Sequence, residues 1–261
     1  KLDGLTIVLT YEGGSLIKAV TRGNGEIGEV VTPNVRVFDN VPVNISYQGH
    51  LVLRGEAVIQ YSDFEKINEE ISDAGAKYKN PRNLCSGSVR QLNTKITAER
   101  HVHFFAFSLV SAEGVTFENS RLKQLQWLSA QGFEVVEHLA VTGSMKDIQP
   151  LAAEEEEAEN QKETAETQEK ALSGRSAVPV AEAVEYFAKR IMKSDLPSDG
   201  LVLMYDDIEY GRSLGNTSKF PRDAIAFKWK DETAETTLRE IEWSASRTGL
   251  INPVAIFDPV E

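Results

Sequence analysis

The chain has 261 residues, of which 41% are hydrophobic and 26% are charged, and this composition is ordinary for a globular protein with a sizeable core. No apolar run approaches the roughly 18 residues that a membrane-spanning helix needs. Cys85 is the only cysteine, which excludes an internal disulfide and the paired cysteines of a zinc ribbon and favours a reducing, cytoplasmic location. Because the chain starts at Lys1 rather than at Met, we expect it to be a fragment.

The net charge of −12 is unusual for a protein that handles nucleic acid, because phosphate contacts need lysine and arginine. The charge is unevenly distributed: residues 151–172 contain eight glutamates and two lysines, a net charge of −6. Since association depends on local patches, the total charge decides little. Residues from about 150 to 179 have a helix-forming composition without an apolar stripe, so we predict an insertion there, either disordered or a solvated helix, outside any catalytic site.

Hydrophobic patterns predict β structure in the first sixty residues. Runs of β-branched and apolar residues favour strands at residues 5–11, 16–20 and 51–59. A helix is predicted to follow from Ser62, because Ser62 and Glu65 have the spacing of a capping box. Phe64, Ile67 and Ile71 would then share one face of that helix.

The rest of the chain predicts alternating strands and helices. A buried strand is expected at residues 104–110, followed by a helix with Leu122, Leu125 and Leu128 on one face and Gly132 at its end. A shorter helix is predicted near residues 180–193, and further strands at residues 199–204 and 224–230. Short, closely spaced strands from about residue 236 indicate the beginning of a small barrel.

The tetrapeptide Lys1-Leu2-Asp3-Gly4 is a candidate for covalent chemistry. A lysine amine attacks phosphorus or carbonyl centres once it is deprotonated. Taken alone, the tetrapeptide favours a solvated terminal lysine, because a four-residue match often occurs by chance. Three features later in the chain strengthen the catalytic interpretation, namely Arg54-Gly55-Glu56, Asp199-Gly200 and Lys228, each on or beside a predicted strand.

This order of features resembles the covalent nucleotidyltransferases, which comprise DNA ligases, RNA ligases and capping enzymes. The closer resemblance is to the bacterial NAD-dependent DNA ligases, and it rests on residues 21–29, 80–92, 221–228 and 247–249. It covers nearly the whole chain except the acidic insertion. It implies an α+β, ATP-grasp-like nucleotidyltransferase fold of antiparallel sheets flanked by helices over residues 1–233, and the start of an OB-fold barrel at residues 234–261.

The resemblance also implies roles for residues around the nucleotide. Lys1 would form the covalent bond to AMP, Leu2 would contact the cofactor, and Asp3 would position the lysine. Glu56 would accept a hydrogen bond from the ribose, a role suited to a carboxylate on a rigid strand. Phe107 would stack on the adenine ring, with ordinary core packing as the alternative.

Four cations are implicated in phosphate binding by the same resemblance. Lys228 would neutralise charge that develops on the α-phosphate. Arg22 would contact the cofactor, and Arg82 and Arg90 would contact phosphates of nicked DNA. Arginine suits this role because its fork binds two phosphate oxygens at once, and the alternative for each arginine is a surface ion pair.

The chain departs from the family pattern at two positions. Met204 replaces a lysine that is usual near the end of its strand, which puts recognition of the base there in doubt, although a methionine can pack against an apolar face. Lys230 replaces a proline. The family's acidic adenine-binding residue and its small helical domain, both upstream of the nucleophile, have no counterpart in the sequence. We therefore expect that these 261 residues alone do not self-adenylylate with NAD.

Two other patterns are interpreted as structural. Residues 23–28 fit the dinucleotide fingerprint G-x-G-x-x-G, but that site needs a helix directly after the glycines, and Pro33 with β-prone neighbours argues against one. A loop that contacts phosphate is the remaining functional interpretation of these residues. His101 and His103 lack cysteines or carboxylates at ligand spacing, so we predict a structural or surface role for both.

The resulting functional prediction is a monomeric, cytoplasmic DNA ligase that uses NAD and Mg²⁺, acts on nicked double-stranded DNA and has no membrane partner. No dedicated metal site is visible in the sequence. An ATP-using ligase or capping enzyme is the alternative within enzymes, and it would lack the pattern at residues 80–92. A non-catalytic nucleic-acid-binding remnant is the alternative outside enzymes, and Met204 is its best argument.

Overall fold

The structure is a computed structural model, and it describes residues 1–23, 27–143, 177–217, 221–229, 234–247 and 249–260. Residues 144–176, which include most of the predicted acidic insertion, lie outside the described residues. The chain divides into two compact units, Lys1–Phe227 and Lys228–Glu261. The domain limits expected from the sequence, residues 1–233 and 234–261, remain a prediction.

A four-stranded antiparallel sheet is the centre of the first unit. Its strands lie in the order β2-β1-β3-β4, and their bounds are β1 Leu5–Glu12, β2 Ser15–Thr21, β3 Leu51–Val58 and β4 His103–Ala112. Alternate residues of β1 are buried, as expected for a strand with one face on the core. All four strands predicted for this part of the sequence are therefore confirmed, with ends shifted by one or two residues.

Seven α-helices occur among the described residues of the first unit, and several of them cover the buried face of this sheet. Their bounds in the first unit are α1 Thr32–Val35, α2 Tyr61–Glu70, α3 Pro81–Val89, α4 Thr94–Ala98, α5 Arg121–Ala130, α6 Val180–Ile191 and α7 Ile208–Ser213. The core joins β1 residues such as Leu9 to Leu84 of α3 and Leu128 of α5, all fully buried. Close packing of this kind fixes the sheet and thereby the side chains on its other face.

The start of α2 differs from the prediction. The helix begins at Tyr61, and its N-cap residue, Gln60, makes no side-chain capping hydrogen bond, so the predicted capping box at Ser62 is wrong. The cap comes from a distant residue: the Asp195 carboxylate accepts hydrogen bonds from the Ser62 N–H at 2.9 Å and the Ser62 hydroxyl at 2.6 Å. The Asp195 carbonyl accepts a further bond from the Tyr61 N–H. Phe64 and Ile67 pack against the core, whereas Ile71, predicted on the same helix face, lies past the end of the helix in an extended conformation.

The remaining elements of the first unit are short. Strand β5 (Val141–Thr142) pairs in parallel with β6 (Val178–Pro179), and β7 (Leu201–Met204) pairs with β8 (Ala224–Phe227) in an antiparallel hairpin. The predicted helix near residues 180–193 is confirmed as α6. The strand predicted at residues 224–230 is shorter than expected, because its pairing with β7 ends at Phe227.

The second unit contains an antiparallel pair, β9 (Leu238–Ala245) with β10 (Ile251–Phe257). Two strands cannot close into a barrel, and no closed barrel occurs among the described residues, so the predicted start of an OB-fold is not confirmed. No helix in the described ranges is both long and apolar enough to cross a membrane.

Both patterns interpreted as structural can be placed. The described chain after Gly28 leads into α1, which has only four residues, and so no long helix follows the glycines. His101 and His103 approach the same carboxylate oxygen of Asp39, at 3.0 and 3.7 Å. This contact ties the start of β4 to the loop after α1.

Candidate functional site

A distant part of the chain fixes the main chain of residues 1–3. Leu2 forms an antiparallel bridge with Ser198. The Asp3 N–H donates to the Pro197 carbonyl at 2.8 Å, and the Asp199 N–H donates to the Lys1 carbonyl at 3.1 Å. Residues 1–3 thus act as a short strand beside residues 197–199, just before β7 begins.

The Lys1 side chain forms an ion pair with Asp199. Lys1 Nζ lies 2.6 Å from both carboxylate oxygens, and the two side chains are 30% and 29% exposed. The amine is therefore held in one place while it stays accessible to a substrate. The site residues proposed from the sequence omitted Asp199, although the Asp-Gly pair before a strand was the signal that could have identified it.

Glu56 lies in the middle of the sheet, on the face opposite the main core. It is directly across from Thr6 on β1 and from Phe105 on β4, and all three residues are half-buried. The Thr6 hydroxyl donates to Glu56 Oε2 at 2.8 Å, and the Gly4 N–H donates to Oε1 at 3.2 Å. Burial raises the pKa of Glu56, and the two hydrogen bonds oppose that rise.

Gly4 is required by the close approach of β1 and β3. A Cβ at this position would lie 1.9 Å from the Ala57 carbonyl oxygen and 2.8 Å from Val58 Cγ1. The absence of a side chain therefore lets the Gly4 N–H reach Glu56. This is the physical reason for the Asp-Gly sequence that follows the nucleophile candidate.

Phe107 lies at an irregularity of β4. The pairing with β3 runs from Gly55–Ala106 to Arg54–Ser108, so Phe107 is an extra residue in a β-bulge, and it is half-buried. Bulges re-aim side chains beside functional sites. The structure thus places Phe107 near the row of Thr6, Glu56 and Phe105, and its stacking on a base stays a prediction.

Arg82 and Asp3 form an ion pair, with 2.5 Å between Arg82 Nη1 and Asp3 Oδ1. Arg82 occupies the first turn of α3, whose N-cap Asn80 accepts a hydrogen bond from the Asn83 N–H at 2.8 Å. The structure therefore brings Asp3 together with Arg82, while the contact to Lys1 Nζ is made by Asp199.

The other predicted cations lie at different places. The Arg90 side chain contacts Glu29 and Ser86. Arg22 is exposed just after β2, and its N–H donates to the Thr6 carbonyl at 3.0 Å. Lys228 is the first residue of the second unit, directly after β8.

Met204 is 39% exposed and lies opposite Ala224 in the β7–β8 hairpin. Its side chain is therefore accessible on the hairpin, where a methionine supplies an apolar surface rather than a charge. Cys85 is fully buried, and its thiol donates to the Ala57 carbonyl at 3.2 Å. Burial raises the pKa of Cys85, so it is a core residue without the exposure of a reactive thiol.

Within the described part of the chain, no group of three or more His, Cys, Asp or Glu side chains could hold a metal ion. The chemistry available from the described side chains is an accessible amine at Lys1, a half-buried carboxylate at Glu56 and the guanidinium group of Arg82 beside Asp3.

The antiparallel sheet and its lysine-centred site are consistent with a nucleotidyltransferase fold. The family model for the NAD-dependent DNA ligase adenylation domain matches residues 1–169, which is more than half of the chain. The chain therefore belongs to the NAD-dependent DNA ligase adenylation domain family.

Several curated relatives match the chain over its full length. A DNA ligase of Ruminiclostridium cellulolyticum and one of Lachnoclostridium phytofermentans are each 58% identical over 261 residues. A DNA ligase of Lactobacillus acidophilus is 37% identical over 263 residues. The chain covers 35%, 35% and 34% of these relatives, so it spans about a third of their length.

Proposed function

We propose that the chain is the catalytic core of an NAD-dependent DNA ligase, in which Lys1 carries AMP. The observation that carries this proposal is the placement of Lys1 Nζ, 2.6 Å from both oxygens of Asp199, in a side chain that is 30% exposed. The family membership supports NAD as the source of AMP. The names of the relatives support DNA as the final substrate.

Three group transfers make up the proposed reaction. Lys1 Nζ first gives up a proton, for which the contacting Asp199 carboxylate is an available acceptor, and then attacks the α-phosphorus of NAD. A P–N bond forms, and nicotinamide mononucleotide leaves with the electron pair of the cleaved P–O bond. The AMP then passes to the 5′-phosphate of a nick, which restores the lysine. The adjacent 3′-hydroxyl attacks that phosphate, AMP leaves, and the strand is joined.

The remaining site residues have supporting roles in this proposal. Glu56 accepts a hydrogen bond from the ribose, and Phe107 stacks on the adenine. Lys228 and Arg22 bind phosphate of the cofactor. Contacts to phosphates of the nicked DNA come from Arg82 and Arg90, which exchange their present carboxylate partners for phosphate oxygens.

Magnesium remains part of the proposal without a protein cage. The described residues present no cluster of ligands, so the ion would be held by phosphate oxygens and water, where it would neutralise phosphate charge. A monomeric state and a cytoplasmic location likewise remain predictions.

Two alternatives make different predictions. An ATP-using relative would take AMP from ATP, and a non-catalytic remnant would take it from neither nucleotide. The match of residues 1–169 to an NAD-dependent family disfavours the first alternative. The formed Lys1–Asp199 ion pair and the hydrogen-bonded Glu56 disfavour the second, because both features retain a geometry suited to catalysis.

The test is the intact mass of the full-length protein after incubation with magnesium and either NAD or ATP. A gain of one AMP with NAD only, absent in Lys1→Ala, is expected. Lys18→Ala is the matched control, because Lys18 is an exposed lysine of β2 outside the proposed site. AMP taken from ATP alone would assign the chain to the ATP-using relatives. No adduct from a folded protein would favour the remnant, and Met204→Lys would then be the first reversion to make.

The same assay tests the isolated 261 residues. We expect no adduct from NAD with this chain alone. An adduct formed by the 261 residues would show that the site needs no further segment for the first step.

A further inference from the structure

Thr6 and Glu56 form one cross-strand pair on the half-buried face of the sheet. They lie directly opposite each other in the antiparallel pairing of β1 and β3, with the neighbouring residues Ile7 and Gly55 turned towards the core. The Thr6 hydroxyl donates to Glu56 Oε2 at 2.8 Å. Opposed pairs of this kind hold side chains at a fixed separation, because the backbone ladder sets it.

The Glu56 carboxylate receives one protein donor on each oxygen. Gly4 N–H reaches Oε1 at 3.2 Å, and the Thr6 hydroxyl reaches Oε2. Each carboxylate oxygen has two lone-pair sites, so each keeps one acceptor site for a ligand. Two acceptor sites side by side match two neighbouring hydroxyl groups, as a ribose carries.

We propose that Thr6 is a positioning residue, whose hydroxyl orients the Glu56 carboxylate so that both oxygens accept the hydroxyl groups of the ribose. This inference rests on the proposed function, because it assigns the ribose to Glu56. Thr6 itself does not touch the ribose. It acts through Glu56, and a hydroxyl at this position is what the sequence must supply.

The charge of Glu56 links this contact to pH. Burial raises the pKa of Glu56, and the Thr6 hydroxyl, the Gly4 N–H and the positive charges of Arg82 and Lys1 lower it. The buried Cys85 thiol is the other titratable group that interacts with this carboxyl. Removal of the Thr6 hydroxyl takes away one of the interactions that lower the pKa of Glu56, so this pKa rises further. As the pH falls, the ionised carboxylate that accepts the hydrogen bonds is then protonated at a higher pH.

The experiment compares Thr6→Val with Thr10→Val in the full-length protein. Valine keeps the shape of threonine and removes the hydroxyl, and Thr10 is a half-buried threonine on the same face of β1. The rate of the AMP adduct from NAD is measured against NAD concentration across about pH 5 to 9. Thr6→Ser tests rescue, since it restores the hydroxyl.

Thr6→Val is expected to raise the KM for NAD about tenfold, the effect of one lost hydrogen bond to a charged group. The acid limb of its kcat/KM profile moves to higher pH. Thr6→Ser and Thr10→Val keep the wild-type acid limb. In a Glu56→Gln background, Thr6→Val produces no further shift, because the titrating group is absent. If Thr6→Val does not fold, Thr6→Ala replaces it in the same assay.

The outcomes separate the two proposals. A wild-type protein that forms no adduct with NAD overturns the proposed function. An active wild type together with a Thr6→Val profile equal to that of Thr10→Val overturns the role of Thr6 alone. A uniform fall in kcat at every pH, without a change in KM or in the acid limb, would also overturn it, since that result indicates a structural effect.

Discussion

Lys1 and Asp199 are 198 positions apart in the chain, and Lys1 Nζ lies 2.6 Å from both oxygens of the Asp199 carboxylate. Both side chains are about one-third exposed. An ion pair with this exposure adds little to the free energy of unfolding, because water screens it and the ordering of two side chains opposes it. The value of the contact is therefore placement of the amine.

Substitution of either partner should separate stability from activity. Lys1→Ala and Asp199→Asn are each expected to change the free energy of unfolding by less than about 1 kcal/mol. Asp199→Asn should slow AMP-adduct formation about 100-fold, since a misplaced nucleophile loses its alignment. Denaturant unfolding and the rate of adduct formation measure the two quantities. A large loss of stability in Asp199→Asn would show that the pair is structural.

Gly4→Ala should destabilise the protein by about 3 kcal/mol, because the new Cβ would lie 1.9 Å from the Ala57 carbonyl oxygen. Gly87→Ala in α3 is the matched control, because the new Cβ would lie 3.9 Å from Tyr78 Cε1, an ordinary van der Waals contact. Alanine inside a helix should stabilise by about 0.5–1 kcal/mol. Urea unfolding of both variants measures the contrast, and equal effects would contradict the close approach of β1 and β3.

The distant cap of α2 predicts a coupling between two residues. Asp195→Ala should cost about 1 kcal/mol of stability, since two donors of Ser62 lose their acceptor. The cost should be smaller in a Ser62→Ala background, where one of those donors is already absent. Glu69→Ala is the control, because Glu69 is an exposed residue of the same helix. Additive costs for Ser62 and Asp195 would show that the two side chains act independently.

Cys85 should resist alkylation in the folded protein. Burial raises the pKa of its thiol, so the reactive thiolate is scarce at mildly alkaline pH, and the surrounding core excludes the reagent. Mass spectrometry after iodoacetamide treatment should show no label in buffer and complete labelling in concentrated guanidinium chloride. Rapid labelling in buffer would mean that α3 opens easily.

The acidic segment should be replaceable. Strands β5 and β6 lie side by side, with Val141 opposite Val178, so the described residues on either side of this segment lie close together. A Gly/Ser linker of about eight residues in place of residues 144–176 should span this gap. The melting temperature should change by no more than about 4 °C. A variant that does not fold would show that the segment supports the core.

Local sequence patterns predicted most strands and helices because the spacing of apolar residues in each element depends on which of its sides is buried. A run of β-branched and apolar residues identified β1, and helical spacing identified α5. The capping box at Ser62 was wrong because the partner of α2 is Asp195, a residue 133 positions away. A local rule cannot include an acceptor that the tertiary fold supplies.

The candidate site was predictable only in part for the same reason. The sequence identified Lys1 and Glu56 through a family resemblance, but not Asp199 or Thr6 as their partners. The pairing register of β1 and β3 determines that Thr6 faces Glu56, and no local pattern encodes that register. The bulge at Phe107 is likewise a property of the pairing between β3 and β4.

The antiparallel contact of residues 1–3 with residues 197–199 has a consequence for protein synthesis. Chains are made from the N-terminus at about 5–20 residues per second, so about 10–40 s separate the synthesis of Lys1 from that of Asp199. During this interval Lys1 has neither its main-chain partners nor its carboxylate. A nascent or prematurely terminated chain that ends before residue 197 therefore carries Lys1 without the segment that positions it, and the proposed chemistry requires that this segment has been made.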